Sequence, residues 1–135
     1  MYIKEIKAED TWKLRRKVMW PDKEIRYVQL PDDQKGTHFG LYLNNELVAV
    51  ISLFIEGRRG QFRKFATLPA SQGKGYGSLL LRHLIAQAAA KGVEVIWCNA
   101  RQEKSTFYNR FGLKETNQRF ARGGKNYVVM EGFIN

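Results

Sequence analysis

Cysteine occurs once in this chain, at Cys98, so no internal disulfide can form, and a single thiol agrees with a reducing cytosol. Proline occurs only three times and no low-complexity tract interrupts the 135 residues, so the chain reads as one folded domain over 1–135, without a linker or internal repeat. No apolar run approaches the roughly 20 residues that a membrane-spanning helix needs. The first residues, MYIKEIKAED, hold no apolar core of a signal peptide, and the expectation is a cytoplasmic protein with no membrane partner. The most telling shortage is of acid. Between Gly57 and Val93 there is no Asp or Glu, while Arg58, Arg59, Arg63, Lys64, Lys74, Arg82 and Lys91 all fall inside that window. The net charge of +10 is thus concentrated rather than spread. A polyanionic ligand is the simplest reading, and a cationic surface that touches nucleic acid non-specifically is the alternative.

Within the acid-free window lies Gln72-Gly73-Lys74-Gly75-Tyr76-Gly77, with glycine at every second position, opening directly onto a helical pattern. Leu80, Leu81, Leu84, Ile85 and Ala88 form its apolar stripe, Arg82, His83, Gln87 and Lys91 lie mainly off it, and Gly92 suits its end. Glycines let the backbone approach a ligand, and the first N–H groups of a helix lack intrahelical partners at the positive end of its dipole. That combination is an anion site suited to phosphates. The preceding run, Gln61 to Leu68, reads as a strand, and a bulge near Arg63-Lys64 would turn both Phe62 and Phe65 toward apolar partners. Val93 to Cys98 reads as a buried strand, so strand, helix and strand make a right-handed crossover with 61–68 parallel to 93–98.

The remaining elements frame this unit. Tyr2 to Ile6 reads as a strand, a helix follows from Ala8 and stops before Trp20-Pro21, and 22–37 reads as loop with a short helix around 24–29. His38 to Leu43 and Glu46 to Ile55 are strands joined by Asn44-Asn45, and Gly57 to Gly60 makes the next turn. A short helix covers Glu103 to Arg110, and Leu113 to Phe120 pairs with Asn126 to Ile134 across Arg122-Gly123-Gly124-Lys125. The expected fold class is a mixed α/β (α+β) sheet: an antiparallel meander, one parallel βαβ crossover and a closing hairpin.

Two familiar phosphate motifs are excluded. The pattern GxxxxGK[ST] is absent, and a dinucleotide GxGxxG would need glycine where Ser78 stands, or one (alanine last) at Leu80. The turn instead resembles the (Q/R)xxGx(G/A) motif of the GCN5-related N-acetyltransferases (GNAT), with Gln72, Gly75 and Gly77 at its defined positions. Thr106-Phe107-Tyr108-Asn109-Arg110-Phe111-Gly112-Leu113 is similar to that family's FYxxxGF element, with leucine for the last phenylalanine, and the proline of TLPASQGKGYGSLLL also fits. The resemblance spans residues 38–134 and implies a GNAT-like acyl-CoA N-acyltransferase fold.

What the resemblance implies falls on particular residues. Backbone N–H groups of Gly73, Lys74, Gly75, Tyr76, Gly77 and Ser78, with Gln72 opening the turn, would hold the pyrophosphate of acetyl-CoA, the acyl donor. The pantetheine arm would pair with Phe65, Ala66 and Thr67, where a backbone N–H polarises the thioester carbonyl. Tyr108 would protonate the departing thiolate, or pack the short helix onto the sheet. No metal enters this reading. One departure is plain: the strand before the turn carries no glutamate, so the base that deprotonates the amine would be Glu56, His38, Glu103 or solvent. His83 reads as inert, and Cys98 as a core or pocket wall. Arg101 stands where the family commonly has asparagine, and Asn99 and Arg101 would line the cofactor channel. Trp12, Arg16, Met19, Trp20, Tyr27, Phe120, Arg122 and Tyr127 fall in the segments that flank the acceptor.

The expected function is an acetyl-CoA-dependent N-acetyltransferase acting on a primary amine of a small molecule or protein, by direct attack in a ternary complex. The alternative is a catalytically weak or inactive module of the same fold that binds nucleic acid or regulates a partner. Nucleic acid is not favoured, because no aromatic–basic RNA signature stands out. A homodimer is left open.

Overall fold

The alternation of Tyr2-Ile-Lys-Glu-Ile6 makes β1 (Tyr2–Ile6), and the helical spacing after it makes α1 (Ala8–Met19), which stops one residue before Trp20-Pro21. The computed structural model describes residues 1–134. The segment expected as loop with one short helix carries two 3₁₀ turns, Ile25–Val28 and Asp33–Lys35. Then come β2 (Thr37–Leu43), β3 (Glu46–Glu56) and β4 (Arg59–Thr67). After a 3₁₀ turn at Pro69–Ser71 follows α2 (Tyr76–Ala90). The chain ends with β5 (Val95–Arg101), a 3₁₀ turn at Gln102–Lys104, α3 (Ser105–Asn109), β6 (Lys114–Arg122) and β7 (Lys125–Phe133). The seven strands form one mixed sheet in the order β1-β2-β3-β4-β5-β7-β6. The mixed α/β fold is therefore as the sequence implied.

The described residues divide into two compact units: Met1–Phe54 with Lys64–Leu84, and Ile55–Arg63 with the chain from Ile85 onward. The division cuts β4 between Arg63 and Lys64. Lys64 has φ +55°, a left-handed conformation inside a strand, where the sequence suggested an irregularity.

In the first unit, β1 pairs antiparallel with β2 and β2 with β3. Asn44 and Asn45 at φ +49° and +67° make the two-residue turn that joins β2 to β3. Leu14 of α1 packs with Val50 and Ala66 on one face, joined by Ile6, Val18, Met19, Leu47 and Leu68. Leu80, Leu81 and Leu84 of α2 are wholly buried. His83 is not idle on an outer face, because its ring meets Phe39 edge-on at 5.3 Å.

The second unit holds the parallel pairing of the crossover, Arg59 with Val95 through Gln61 with Trp97. α2 closes with Gly92 N–H donating to Ala89 C=O and Val93 N–H to Ala88 C=O, a double bond pattern that satisfies two terminal carbonyls. β7 lies between β5 and β6, antiparallel to both. Three expectations change. β5 continues to Arg101 rather than ending at Cys98, the helix expected over Glu103 to Arg110 is a 3₁₀ turn followed by a single α-turn, and Ile85 of the helix stripe is half-buried.

Candidate functional site

The first unit contains the glycine turn. The first backbone bond of α2 runs from Leu79 N–H to Gly75 C=O at 3.2 Å, so the N–H groups of Tyr76, Gly77 and Ser78 have no partner within the helix. No acidic side chain stands in the first helical turn to occupy them. Gly75 has φ +87° with nothing within 4 Å of where a Cβ would be, so its requirement for glycine is conformational and leaves open space beside the backbone. Gly77 differs: a Cβ there would meet Phe65 Cζ at 3.2 Å. Phe65 of β4 thus packs under the start of α2, which brings Phe65–Thr67 and Gly73–Ser78 into one feature.

The end of β4 is oriented by its hydrogen bonds. Leu68 N–H donates to Val48 C=O at 2.8 Å, so the groups of even-numbered residues face β3. Because backbone groups alternate in direction along a strand, Phe65 and Thr67 direct theirs to the opposite side, and Ala66 does not. Gln72 has a role that its motif position did not reveal: its Nε2 donates to Thr67 C=O at 2.9 Å and ties the turn back to the strand.

His38, a candidate base, is 2% exposed and both ring nitrogens are engaged. Nε2 lies 2.8 Å from the carbonyl of Asp33, which can only accept, and Nδ1 lies 2.7 Å from Ser52 Oγ. Ser52 Oγ in turn accepts from Arg15 Nη2 at 3.0 Å, and Arg15 forms a two-pronged ion pair with Asp33 at 2.8 and 3.0 Å. Asp33 also accepts from Trp12 Nε1 and Leu30 N–H. This buried network makes His38 structural and removes it as a base. It also ties Trp12 to Asp33 as a structural residue; Met19 packs against the separate cluster of Leu14, Val50 and Ala66, whereas Trp20 and Tyr27 stay exposed and meet edge-on at 5.2 Å. No periodicity announces a network that joins residues from four distant segments.

The second unit contains Tyr108, whose ring lies 5.6 Å from Phe62 and 5.1 Å from Phe107. Burial, with Cys98 beside it, pushes the Tyr108 hydroxyl above its ordinary 10.0, so the group holds its proton at neutral pH. Burial also pushes the Cys98 thiol up to about 12, and a protonated thiol is neither a nucleophile nor an acyl carrier. The candidate bases here are both exposed: Glu56 at the end of β3, and Glu103, whose carboxylate pairs with Arg101 at 2.8 Å.

The model of the Acetyltransferase (GNAT) family matches residues 5–113, across both units. The chain belongs to that family. Its activity is N-acetyl transfer, and acetyl-CoA is the acyl donor with which this fold is consistent. An uncharacterized N-acetyltransferase of Bacillus subtilis, YitI, is 29% identical over 138 residues, covering 95% of this chain and 93% of that protein. The bS18 ribosomal-protein-alanine N-acetyltransferase of Haemophilus influenzae is 41% identical over 77 residues, about half of each chain at 51% and 53%. Among solved structures, a GNAT acetyltransferase of Elizabethkingia anophelis with acetyl-CoA bound superposes with a TM-score of 0.76 at 16% identity, covering 98% and 97% of the two chains.

Proposed function

We propose that this chain transfers the acetyl group of acetyl-CoA to a primary amine by direct attack, both substrates being bound together. The observation that carries the reading is the uncapped start of α2, with unpaired N–H groups at Tyr76 to Ser78, no acid in the first turn and glycine at φ +87° before it. A pyrophosphate supplies the missing acceptors and negative charge. The outward N–H groups of Phe65 and Thr67 suit an amide-bearing arm laid along β4, and a thioester carbonyl that gains negative charge as the amine attacks. Tyr108 then donates its proton to the thiolate as the C–S bond breaks, a role for which a phenol held protonated is fitted.

The thiol chemistry supports direct attack, since burial holds the Cys98 thiol protonated and leaves it unsuited to carry the acyl group. With His38 locked and no carboxylate on β4, the amine loses its proton to solvent or to an exposed carboxylate such as Glu103. An α-amine with pKa near 8 needs little help, whereas a lysine near 10.4 needs more. The acceptor we favour is therefore an α-amine, as in the alanine of bS18 on which the Haemophilus relative acts.

The test is a thermal-shift titration with acetyl-CoA, followed by thiol release on a panel of α-amines and ε-amines. Stabilisation by acetyl-CoA and faster turnover of α-amines are expected. The charge of +10 and the missing carboxylate on β4 favour one rival, a module that binds nucleic acid without catalysis. Steeply salt-dependent RNA binding with no stabilisation by acetyl-CoA selects that rival.

A further inference from the structure

The antiparallel strands β5, β7 and β6 present two different faces. One is core, with Ile96, Cys98 and Ala100 of β5 and Val128 and Met130 of β7 buried. The residues that alternate with these are half-buried or exposed, and the water-facing side of an antiparallel sheet is normally polar. This side carries rings. Phe133 is 85% exposed and pairs with Val95, Trp97 lies two residues further along β5, and Tyr127 pairs with Arg101. Tyr127 stacks on Phe120 of β6 at 5.1 Å and 10°. Rings gathered on a water-facing sheet mark a binding surface.

The spacing of the rings and the placing of charge narrow what binds. Phe133, Trp97 and Tyr127 stand level with positions 95, 97 and 101 of β5, so successive rings are about 7 and 13 Å apart along the strand. Aromatic side chains spread over a sheet in this way stack two or three bases of an unpaired strand. The Phe120–Tyr127 pair is already a stack of near-parallel planes, with Arg122 over Phe120 at 5.5 Å. The far face of Tyr127 meets no other ring or cation among the described residues, and a base placed there lengthens the stack. Arg122 and Lys125 pair in register at the β6–β7 turn and have no carboxylate partner among the described residues. Arg59, by contrast, is paired with Glu131 at 3.1 Å and Arg101 with Glu103 at 2.8 Å. The free cations therefore sit beside the stacked rings, where phosphates would pass.

Near Trp97 there is room for one base. Thr116, Asn117 and Gln118 oppose Val129 alone, a bulge braced by Thr116 Oγ1 donating to Val129 C=O at 2.8 Å. The bulge walls an open depression of about 380 Å³ over Trp97 and Arg59. The side-chain amides of Asn117 and Gln118 have no hydrogen-bond partner among the described residues. Each offers a donor and an acceptor, the combination that base edges and ribose 2′-hydroxyls require.

We infer that this face binds single-stranded RNA, with bases stacked on Trp97 and Tyr127 and phosphates against Arg122 and Lys125. Asn117 and Gln118 take a base edge and the 2′-hydroxyls, which favours RNA over DNA. A duplex keeps its base faces inside its own stack, an acidic peptide brings charge without planar bases, and a second copy of this chain brings a surface of the same charge. No linear motif announces the site, because its rings come from three strands and meet only when the sheet forms. This binding is additional to acetyl transfer and does not rest on it.

The experiment follows the anisotropy of a labelled, unstructured RNA octamer of mixed sequence with the full chain. The same octamer as DNA, its RNA duplex and an octaglutamate peptide serve as competitors. The single-stranded RNA is expected to bind at least about tenfold more tightly than the duplex or octaglutamate, and to weaken as salt rises. Trp97→Ala should weaken RNA binding about tenfold, and Trp97→Phe should keep most of it, each with the parent's circular dichroism. Lys125→Ala, on the exposed turn, should lower the slope of log affinity against log salt by about one. No binding at low salt, equal affinity for the duplex or octaglutamate, or affinities untouched by both Trp97→Ala and Lys125→Ala overturn the inference. Equal affinity for the DNA octamer overturns the assignment to RNA. None of these results touches the acetyltransferase reading, which stands or falls on stabilisation by acetyl-CoA.

Discussion

A Cβ on Gly132 would lie 2.3 Å from the carbonyl oxygen of Gly112. The turn after α3 crosses β7 at that point with backbone against backbone, and neither side has a flexible chain end to move. Gly132→Ala should therefore destabilise the protein by about 2–3 kcal/mol, as overpacking does, and lower the melting temperature by about 10 °C. A melting temperature within a degree or two of the parent would show that the crossing yields.

At the other glycine of consequence the space is open and the backbone is not. Gly75→Leu forces a branched side chain into φ +87° at the residue whose carbonyl starts α2. Acetyl-CoA binding should weaken by about tenfold or more, about 1.4 kcal/mol, in calorimetry. An unchanged Kd would remove this turn from the cofactor site.

Tyr108→Phe keeps the ring against Phe62 and removes the proton. It should lower kcat by about a hundredfold while the Kd for acetyl-CoA stays within about twofold. Because burial raises the hydroxyl above 10.0, parent kcat should not fall on the alkaline side before about pH 10. Equal kcat in the variant would leave Tyr108 as packing only.

Cys98 gives an alkaline stability prediction. Its thiol rises from 9.0 to about 12 on folding, so the folded state holds the proton more tightly than the unfolded one. The resulting stability is complete below about pH 9 and is lost as pH climbs towards 12. Thermal melts across that window should fall less steeply for Cys98→Ala than for the parent. Parallel curves would mean the thiol ionises without cost.

Asp33 works in the opposite direction. Burial acts to raise its carboxyl, but hydrogen bonds from Arg15, Leu30 and Trp12 outweigh that and hold it below the ordinary 3.8. Its contribution is present above about pH 4 and is lost as pH falls further. Asp33→Ala leaves the Arg15 charge buried alone and should cost about 3–5 kcal/mol at neutral pH, read from urea melts. A loss under 1 kcal/mol would mean that Arg15 finds other company.

The elements that were legible from sequence are those whose cause is local. Asn44-Asn45 and Gly123-Gly124 announced their hairpins, and the stripe through Leu80, Leu84 and Ala88 announced α2. β5 runs past Cys98, where the apolar run ends, because Asn99 and Arg101 lie on an exposed face of the strand and so add no apolar signal to mark it. The insertion of β7 between β5 and β6 carries no local signal, since a hairpin looks the same whichever arm pairs inward. His38 misled for a related reason. A histidine at a strand start looks available until Ser52 Oγ, itself held by the buried Arg15, and the Asp33 backbone carbonyl engage its two nitrogens.

The hydrogen bond from Gln72 to Thr67 has a further effect at the end of β4. It takes the Thr67 carbonyl and leaves that residue's N–H, on the same side, as the group shown to a visitor. An arm of alternating amides laid along the strand can exchange bonds in both directions until it reaches Thr67, where only its own carbonyls are welcome. An arm laid there would therefore meet Gln72 as an end-stop to its register along β4.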